Sequence, residues 1–275
     1  MSSHAHQVLN PPNPAPAPLH PLRRWEDGQK IKKTLYHPDR WEVHSAEQVT
    51  VTLGPPQALP PLLVLQQPNS LTGARIGVGA CLWDGALLLA AYLISQPHYK
   101  YVGAKCVELG AGVGLVSVVL AHLSAAVITT DIPKVLPLLA QNMQANHVLR
   151  SPASSLEAGG WAAVEELEWG AEGWMGRVRL LSAPPPDLVL AADCCYIDND
   201  GVSPSTPAFV QTCAGLCGPH TRVLVSFERR SPEVRRCFIE EAKKAFRHVE
   251  MIQIQSLRLP PALRLEYCDL WELKL

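Results

Sequence analysis

Apolar and polar positions fall into three textures along the chain. Residues 1–22 contain PPNPAPAPLHP and show no apolar period. Proline at that density removes backbone donors and blocks both helix and ladder, which predicts an extended or disordered tail. Residues 41–66 place two apolar stretches on either side of a Gly-Pro-Pro break, the pattern of a small antiparallel hairpin ahead of the main domain. From residue 82 onward, helical and strand periods alternate. The segment 82–94, LWDGALLLAAYLI, is continuously apolar after Asp84 apart from Gly85, and predicts a helix buried on a sheet.

A strand is expected from Lys105, a helix from about Gly112 to His122, and a strand over about Ala126–Thr130. The next helix, about Lys134–Asn146, carries Val135, Leu138, Leu139 and Met143 on one face. A loop over 150–160 leads to a strand at Ala163–Leu167. Residues 171–186 have no clear period, and Val178–Leu181 suits a short helix or strand equally. Asp187–Ala192 reads as a buried strand, Pro207–Cys217 as a helix, Arg222–Phe227 as a strand and Pro232–Phe246 as an amphipathic helix. Two strands near 248–255 and 265–274 close the chain. Repeated strand–helix units followed by a terminal hairpin imply an α/β fold of Rossmann-like type: a mostly parallel sheet, an antiparallel C-terminal hairpin and helices on both faces.

Composition narrows the function classes. Apolar residues make up 47% and charged residues 18% of the 275, as in an ordinary globular protein able to bury a large core. A formal net charge of −1 argues against a nucleic-acid partner, which would call for a basic excess. The longest apolar runs fall short of 18 residues, so no membrane partner is expected. The start resembles neither a secretory signal nor a clear transit peptide. The eight cysteines have no regular spacing and read as reduced intracellular thiols serving as core filler; no Cys or His clustering suggests a metal. These features suit a monomer of the cytoplasm, with the nucleus as a second compartment.

The candidate chemistry lies at strand ends. Residues 104–131 read AKCVELGAGVGLVSVVLAHLSAAVITTD: strand, E-x-G-x-G-x-G turn, helix, strand, acidic residue. This is the opening βαβ of a nucleotide-binding sheet. A dinucleotide fingerprint wants a third glycine where Leu115 stands. Glu108, two residues before the turn, would repel a pyrophosphate and suit a cationic ligand. S-adenosylmethionine (SAM), with an ammonium, a sulfonium and no phosphate, fits this turn better than NAD. Glu108 is therefore expected at the ammonium, Asp131 at the ribose hydroxyls, Ile132 on the adenine face and Trp169 of L-E-W-G beside the adenine. Trp83, just before the first helix, is either core or part of the cofactor cleft. Asp193 and Tyr196 of D-C-C-Y follow the fourth strand, where a carboxylate and a phenol three residues apart could clamp an acceptor; a helix cap with a packing tyrosine is the plainer alternative. Glu228-Arg229-Arg230, ending the fifth strand, is a solvated rim or a substrate contact.

The motifs E-L-G-A-G-V-G-L, T-D-I-P-K-V-L-P-L-L-A-Q-N, L-E-W-G, A-A-D-C-C-Y and V-S-F-E-R-R occur in an order and spacing that resemble methyltransferase family 16, the seven-β-strand protein methyltransferases, over roughly residues 70–275. The resemblance implies a SAM-dependent enzyme with a seven-stranded sheet and a methyltransferase domain over 81–275, preceded by a β-hairpin extension at 23–80. It implies SAM contacts at Trp83, Gly110, Ala111, Gly112, Asp131, Trp169 and Ala192, with Glu108 joining by its place in the motif, and Asp193 and Tyr196 facing an acceptor lysine. The implied partner is a protein substrate; chaperones, translation factors and AAA-type ATPases are candidates by family analogy, and some relatives modify histidine or arginine. A small-molecule N- or O-methyltransferase and a non-enzymatic SAM-fold interaction module are the competing readings. The first often carries a covering lid domain, and no large insertion is present here. The second would have lost site residues, whereas Glu108, Asp131 and Asp193 are all in place.

Overall fold

A computed structural model describes residues 43–44, 46–53, 59–68, 77–150, 159–196, 203–259 and 263–275, together with the backbone of 20–26 and 29–35. Residues 1–19 of the expected tail and 151–158 of the expected loop lie outside the described residues. The last three residues of the tail fall in a strand, β1 (His20–Glu26), which pairs antiparallel with β2 (Gln29–Leu35). The two apolar stretches around the Gly-Pro-Pro break pair as β3 (Gln48–Val51) and β4 (Leu62–Leu65), antiparallel as expected.

The remaining strands form one seven-stranded sheet. In chain order the elements are α1 (Asp84–Ser95), β5 (Lys105–Leu109), α2 (Leu115–His122), β6 (Ala126–Asp131), α3 (Leu136–Ala145), β7 (Trp161–Glu166), α4 (Trp174–Leu181), β8 (Leu188–Ala192), α5 (Thr206–Leu216), β9 (Arg222–Glu228), α6 (Pro232–Ala245), β10 (His248–Met251) and β11 (Cys268–Lys274). Their order across the sheet is β10-β11-β9-β8-β5-β6-β7. The strands β5 to β9 are parallel to one another; β11 runs antiparallel to both β9 and β10. From central β5 the chain winds outward through β6 and β7, then crosses back to β8 and β9. That reversal opens a crevice beyond the carboxyl ends of β5 and β8.

Strand alternation sorts the core into two layers. Cys106, Leu188, Leu190 and Leu224 face a cluster built with α1, α2 and α3. Val107, Leu109, Val189, Ala191, Val223, Val225 and Phe227 face the opposite cluster, which contains Val178 of α4, Phe209 and Cys213 of α5, and Phe238 of α6.

Two of the differences from the sequence expectation have a backbone reason. The helix expected over about Gly112–His122 starts at Leu115, because Gly112 (φ 56°) and Gly114 (φ 80°) are left-handed. A side chain at Gly114 would also strike Met143 Cε at 2.4 Å and Leu139 Cδ1 at 2.5 Å, so glycine lets α2 and α3 close together. The weakly periodic 171–186 contains a helix of two turns, α4, entered through left-handed Gly173 (φ 75°).

The β3–β4 hairpin is seated on α3 by two amides. Asn142 and Asn146, one turn apart, are both buried. The Asn142 Oδ1 accepts from Leu65 N–H at 2.6 Å while its Nδ2 donates to Leu65 C=O at 3.0 Å. Asn146 repeats this at Leu63, at 2.9 and 2.7 Å. A side-chain amide carries a donor and an acceptor like a peptide unit, so the pair satisfies the free edge of β4 as a neighbouring strand would.

Candidate active site

A cleft of about 350 Å³ opens at the switch point, within the size range of small-molecule sites. Its walls come from the ends of four strands. Trp83, Gly110, Ala111, Gly112, Asp131, Ile132, Trp169, Ala192, Asp193 and Tyr196 all line it.

Gly110 (φ 58°) and Gly112 (φ 56°) form the floor in the left-handed region. A Cβ at Gly110 would lie 2.8 Å from Cys194 Sγ and 2.9 Å from Trp169 Cη2. The turn is glycine-rich here for contact as well as for conformation. Asp131, at the end of β6, is buried against the turn. Its Oδ2 accepts from Gly112 N–H at 2.7 Å and its Oδ1 from Ile132 N–H at 2.7 Å. Burial raises its pKa, while those two amides and the charge of Lys134 oppose the rise. A carboxylate offers about four lone-pair sites, so two remain for a ligand.

Glu108 is the exception among the residues singled out in the sequence. It shares its strand parity with Cys106, so it faces α2 and does not line the cleft. Its Oε2 accepts from Ser117 N–H at 2.9 Å and from the Ser117 hydroxyl. Burial pushes its pKa up to about 8, against the lowering effect of the Ser117 bonds. The sequence expectation set a charged Glu108 at the ammonium of SAM; the structure has it behind the turn, bonded to the first turns of α2.

Asp193 has φ 53°, one of three non-glycine residues in the left-handed region among those described. Its carboxylate is no helix cap for the residues that follow it. Oδ2 accepts from Gly85 N–H at 2.6 Å, and Oδ1 from Glu228 N–H at 2.9 Å. The acid thus ties the first turn of α1 and the end of β9 to the end of β8. Gly85 is small by necessity, since a Cβ there would meet Asp193 Oδ2 at 2.5 Å. Burial raises the pKa of Asp193; the Arg230 charge and the two amides pull the other way. Tyr196 is 42% exposed at the cleft, its backbone carbonyl accepting from Ser203 Oγ at 2.8 Å.

The aromatic walls are fixed from behind. Trp83 donates its indole N–H to Val78 C=O at 2.7 Å and meets the His44 ring at 4.7 Å between centroids. Trp169 packs on Phe209 of α5 at 5.1 Å, and its buried indole N–H has no partner among the described residues.

Several lining residues had not been singled out, among them Gly77, Val78, Gly79, Lys134, Val135, Cys194 and Ser205. Cys194 stood inside D-C-C-Y and Lys134 three residues after Asp131, so proximity in sequence was the available signal. Arg230 was one of three charged residues at the end of β9. The structure separates them: Arg229 pairs with buried Asp269 at 3.2 Å, and Arg230 turns to the cleft. All eight cysteines are unpaired, and no metal-holding cluster occurs among the described residues.

A family model described as lysine methyltransferase matches residues 68–245. EEF1A lysine methyltransferase 3 of Mus musculus is 32% identical over 181 residues, covering 66% of this chain and 69% of that protein. Protein N-lysine methyltransferase METTL21A of Danio rerio is 33% identical over 184 residues, 67% of this chain and 75% of that protein. Among solved structures, SMU.776 complexed with SAH superposes with a TM-score of 0.52 at 12% identity, over 84% of this chain and 57% of that one. The Thermus thermophilus 16S rRNA N2 G1207 methyltransferase, solved with AdoMet and guanosine, gives 0.51 at 13% identity, over 91% and 56%. The likeness to these two structures is one of fold.

Proposed function

The chain belongs to the lysine methyltransferase family, and on that premise we propose how its cleft serves SAM-dependent transfer of a methyl group to a protein lysine. Asp131 receives the ribose hydroxyls, Ile132 and Trp169 flank the adenine, and the Gly110–Gly112 turn with Trp83 and Ala192 holds the amino-acid half. The acceptor amine comes in at Asp193 and Tyr196.

The carrying observation is convergence. Ten residues chosen from separate sequence motifs line one cleft of suitable size. Three details of the chain fit the cofactor. The buried indole N–H of Trp169 lacks a partner. The Asp131 oxygens each retain acceptor capacity after their backbone bonds. A side chain at Gly110 would collide with Trp169 and Cys194 in the cleft wall. Bound there, SAM supplies an electrophilic methyl on a positively charged sulfur.

The protein's own task is to present a neutral amine in line with that methyl. A free lysine of pKa about 10.4 costs roughly 4–5 kcal/mol to deprotonate at pH 7. Partial burial between Asp193, Tyr196 and Trp83 removes water and lowers that cost. Asp193 already accepts two backbone N–H bonds and stands near Arg230, which suits a fixed acceptor for an amine N–H better than a strong base. Positioning then supplies much of the rate. The mouse relative is named for elongation factor 1A, which makes that protein the first substrate to try.

Calorimetry tests the cofactor half of this reading. SAM and its demethylated product should bind, and NAD should not. Asp131→Ala should weaken SAM by about 1.5–3 kcal/mol, the range for hydrogen bonds to a charged group. Tight NAD binding without SAM binding overturns the assignment.

A further inference from the structure

The charged rim at the end of β9 places a cation at the acceptor end of the cleft. Arg230 lines the cleft beside Asp193, with one terminal nitrogen 3.9 Å from Asp193 Oδ1. Its Nε donates to Glu228 Oε2 at 2.7 Å. Its guanidinium carbon lies 4.4 Å from the centroid of the Trp83 ring. Trp83 is itself fixed by its bond to Val78 C=O. Backbone geometry adds a further restraint, since Arg230 N–H donates to Glu228 C=O at 2.8 Å.

A side chain restrained at so many points has lost its rotamer freedom before any ligand arrives. Yet its terminal nitrogens make no hydrogen bond among the described residues, and the side chain remains 41% exposed. The two neighbouring carboxylates are far less accessible: 8% for Glu228 and 6% for Asp193. At the acceptor end of the cleft, solvent therefore meets a pre-oriented guanidinium fork, with the anions behind it. Such a fork matches a carboxylate in bidentate geometry.

Resting on the reading of Asp193 and Tyr196 as the acceptor end, we propose that Arg230 determines specificity by docking an aspartate or glutamate one or two positions from the target lysine in the protein substrate. The span is geometric. Consecutive residues in extended chain advance about 3.3–3.6 Å each, so a side chain one or two positions away is carried past the rim where Arg230 stands. Val78, exposed next to this rim, offers only apolar surface, and the other cation lining the cleft, Lys134, acts on Asp131 instead.

The test starts from the unmodified enzyme with methyl-labelled SAM and a cell lysate, with labelled lysines mapped by mass spectrometry. The expected sites have Asp or Glu within two positions. The mapped protein then serves as substrate for variants. Arg230→Gln should lower kcat/KM about tenfold, mostly through KM, as for one partly screened charge-assisted hydrogen bond. Arg230→Lys should recover part of the loss. Arg230→Glu should be worse than Arg230→Gln on the natural site, and better on a substrate whose flanking acid is changed to lysine. A purely structural Arg230 would not reverse preference in this way. Mapped lysines without a nearby acid, or equal response of both substrates to Arg230→Glu, overturn the proposal while leaving methyl transfer intact. If Arg230→Gln weakens SAM binding as much as it lowers kcat/KM, the guanidinium serves the cofactor carboxylate instead. If SAM binds but no protein lysine is labelled, the acceptor reading fails and this proposal falls with it.

Discussion

Removing the Asp193 carboxylate should damage stability and transfer by separable amounts. In Asp193→Ala, Gly85 N–H and Glu228 N–H lose their acceptors at 2.6 and 2.9 Å in a place where the side chain was 6% exposed. An orphaned buried donor costs about 1–3 kcal/mol, so two cost about 2–6 kcal/mol, reduced by whatever burial of the charge itself cost. In a chain of this size each kcal/mol moves Tm by roughly 2–4 °C, which predicts a fall of about 4–24 °C before that offset. That exceeds the loss of about 1 kcal/mol expected of a simple helix cap. Transfer, measured in single turnovers well below the melting range, should fall at least 100-fold, about 2.7 kcal/mol of transition-state stabilisation. SAM affinity, by calorimetry on the same sample, should stay within about a few fold, because Asp131 and Trp169 are proposed to hold the other end of the cofactor. An unchanged Tm refutes the bracing of α1 and β9 by this carboxylate. A lowered Tm with an undiminished rate means that Asp193 is scaffold only, and that the acceptor site must be sought elsewhere.

Other perturbations separate the remaining parts of the account. Glu108 has a folded-state pKa raised to about 8 by burial, so it favours the folded state below its unfolded value and that contribution is lost as pH rises toward 8. Glu108→Gln should therefore flatten the fall of unfolding free energy between about pH 5 and 8 by on the order of a few kcal/mol, and a wild-type slope retained in the variant would contradict the burial argument. Changing both Asn142 and Asn146 to Ala strips the β4 edge of its partners, and amide hydrogen exchange at Leu63 and Leu65 should accelerate well beyond that of the β5 strand; unchanged protection would show that apolar packing alone seats the hairpin.

Much of this arrangement was legible in the residues because the chain's periods agree with its fold. Strand and helix alternation from Lys105 onward gave the element order, and the glycine turn with Asp131 located the cleft. The errors were at the scale of single side chains. Glu108 was expected at the ligand because the motif stands next to the turn, but alternation from Cys106 already set it on the α2 face. The start of α2 was placed too early because apolar periodicity does not register left-handed glycines at 112 and 114. The helix at Trp174–Leu181 was weakly marked because only Val178 among its residues is buried. Asp193 illustrates a deeper limit. That its two oxygens would reach Gly85, 108 positions away, and Glu228, 35 positions away, is a product of sheet topology, which no local pattern encodes. The same holds for Arg230, whose distinction from Arg229 appears only when β9, α1 and β11 are brought together.

The central claim is that this cleft moves a methyl group from SAM to a protein lysine. Its most direct test incubates the protein with methyl-labelled SAM and elongation factor 1A, alongside total cell protein, followed by hydrolysis to amino acids. The account predicts label in protein, recovered as methyl-lysine, and its loss in Asp131→Ala. Label recovered only in small molecules or in another amino acid, or no transfer by a protein that binds SAM tightly, would contradict it.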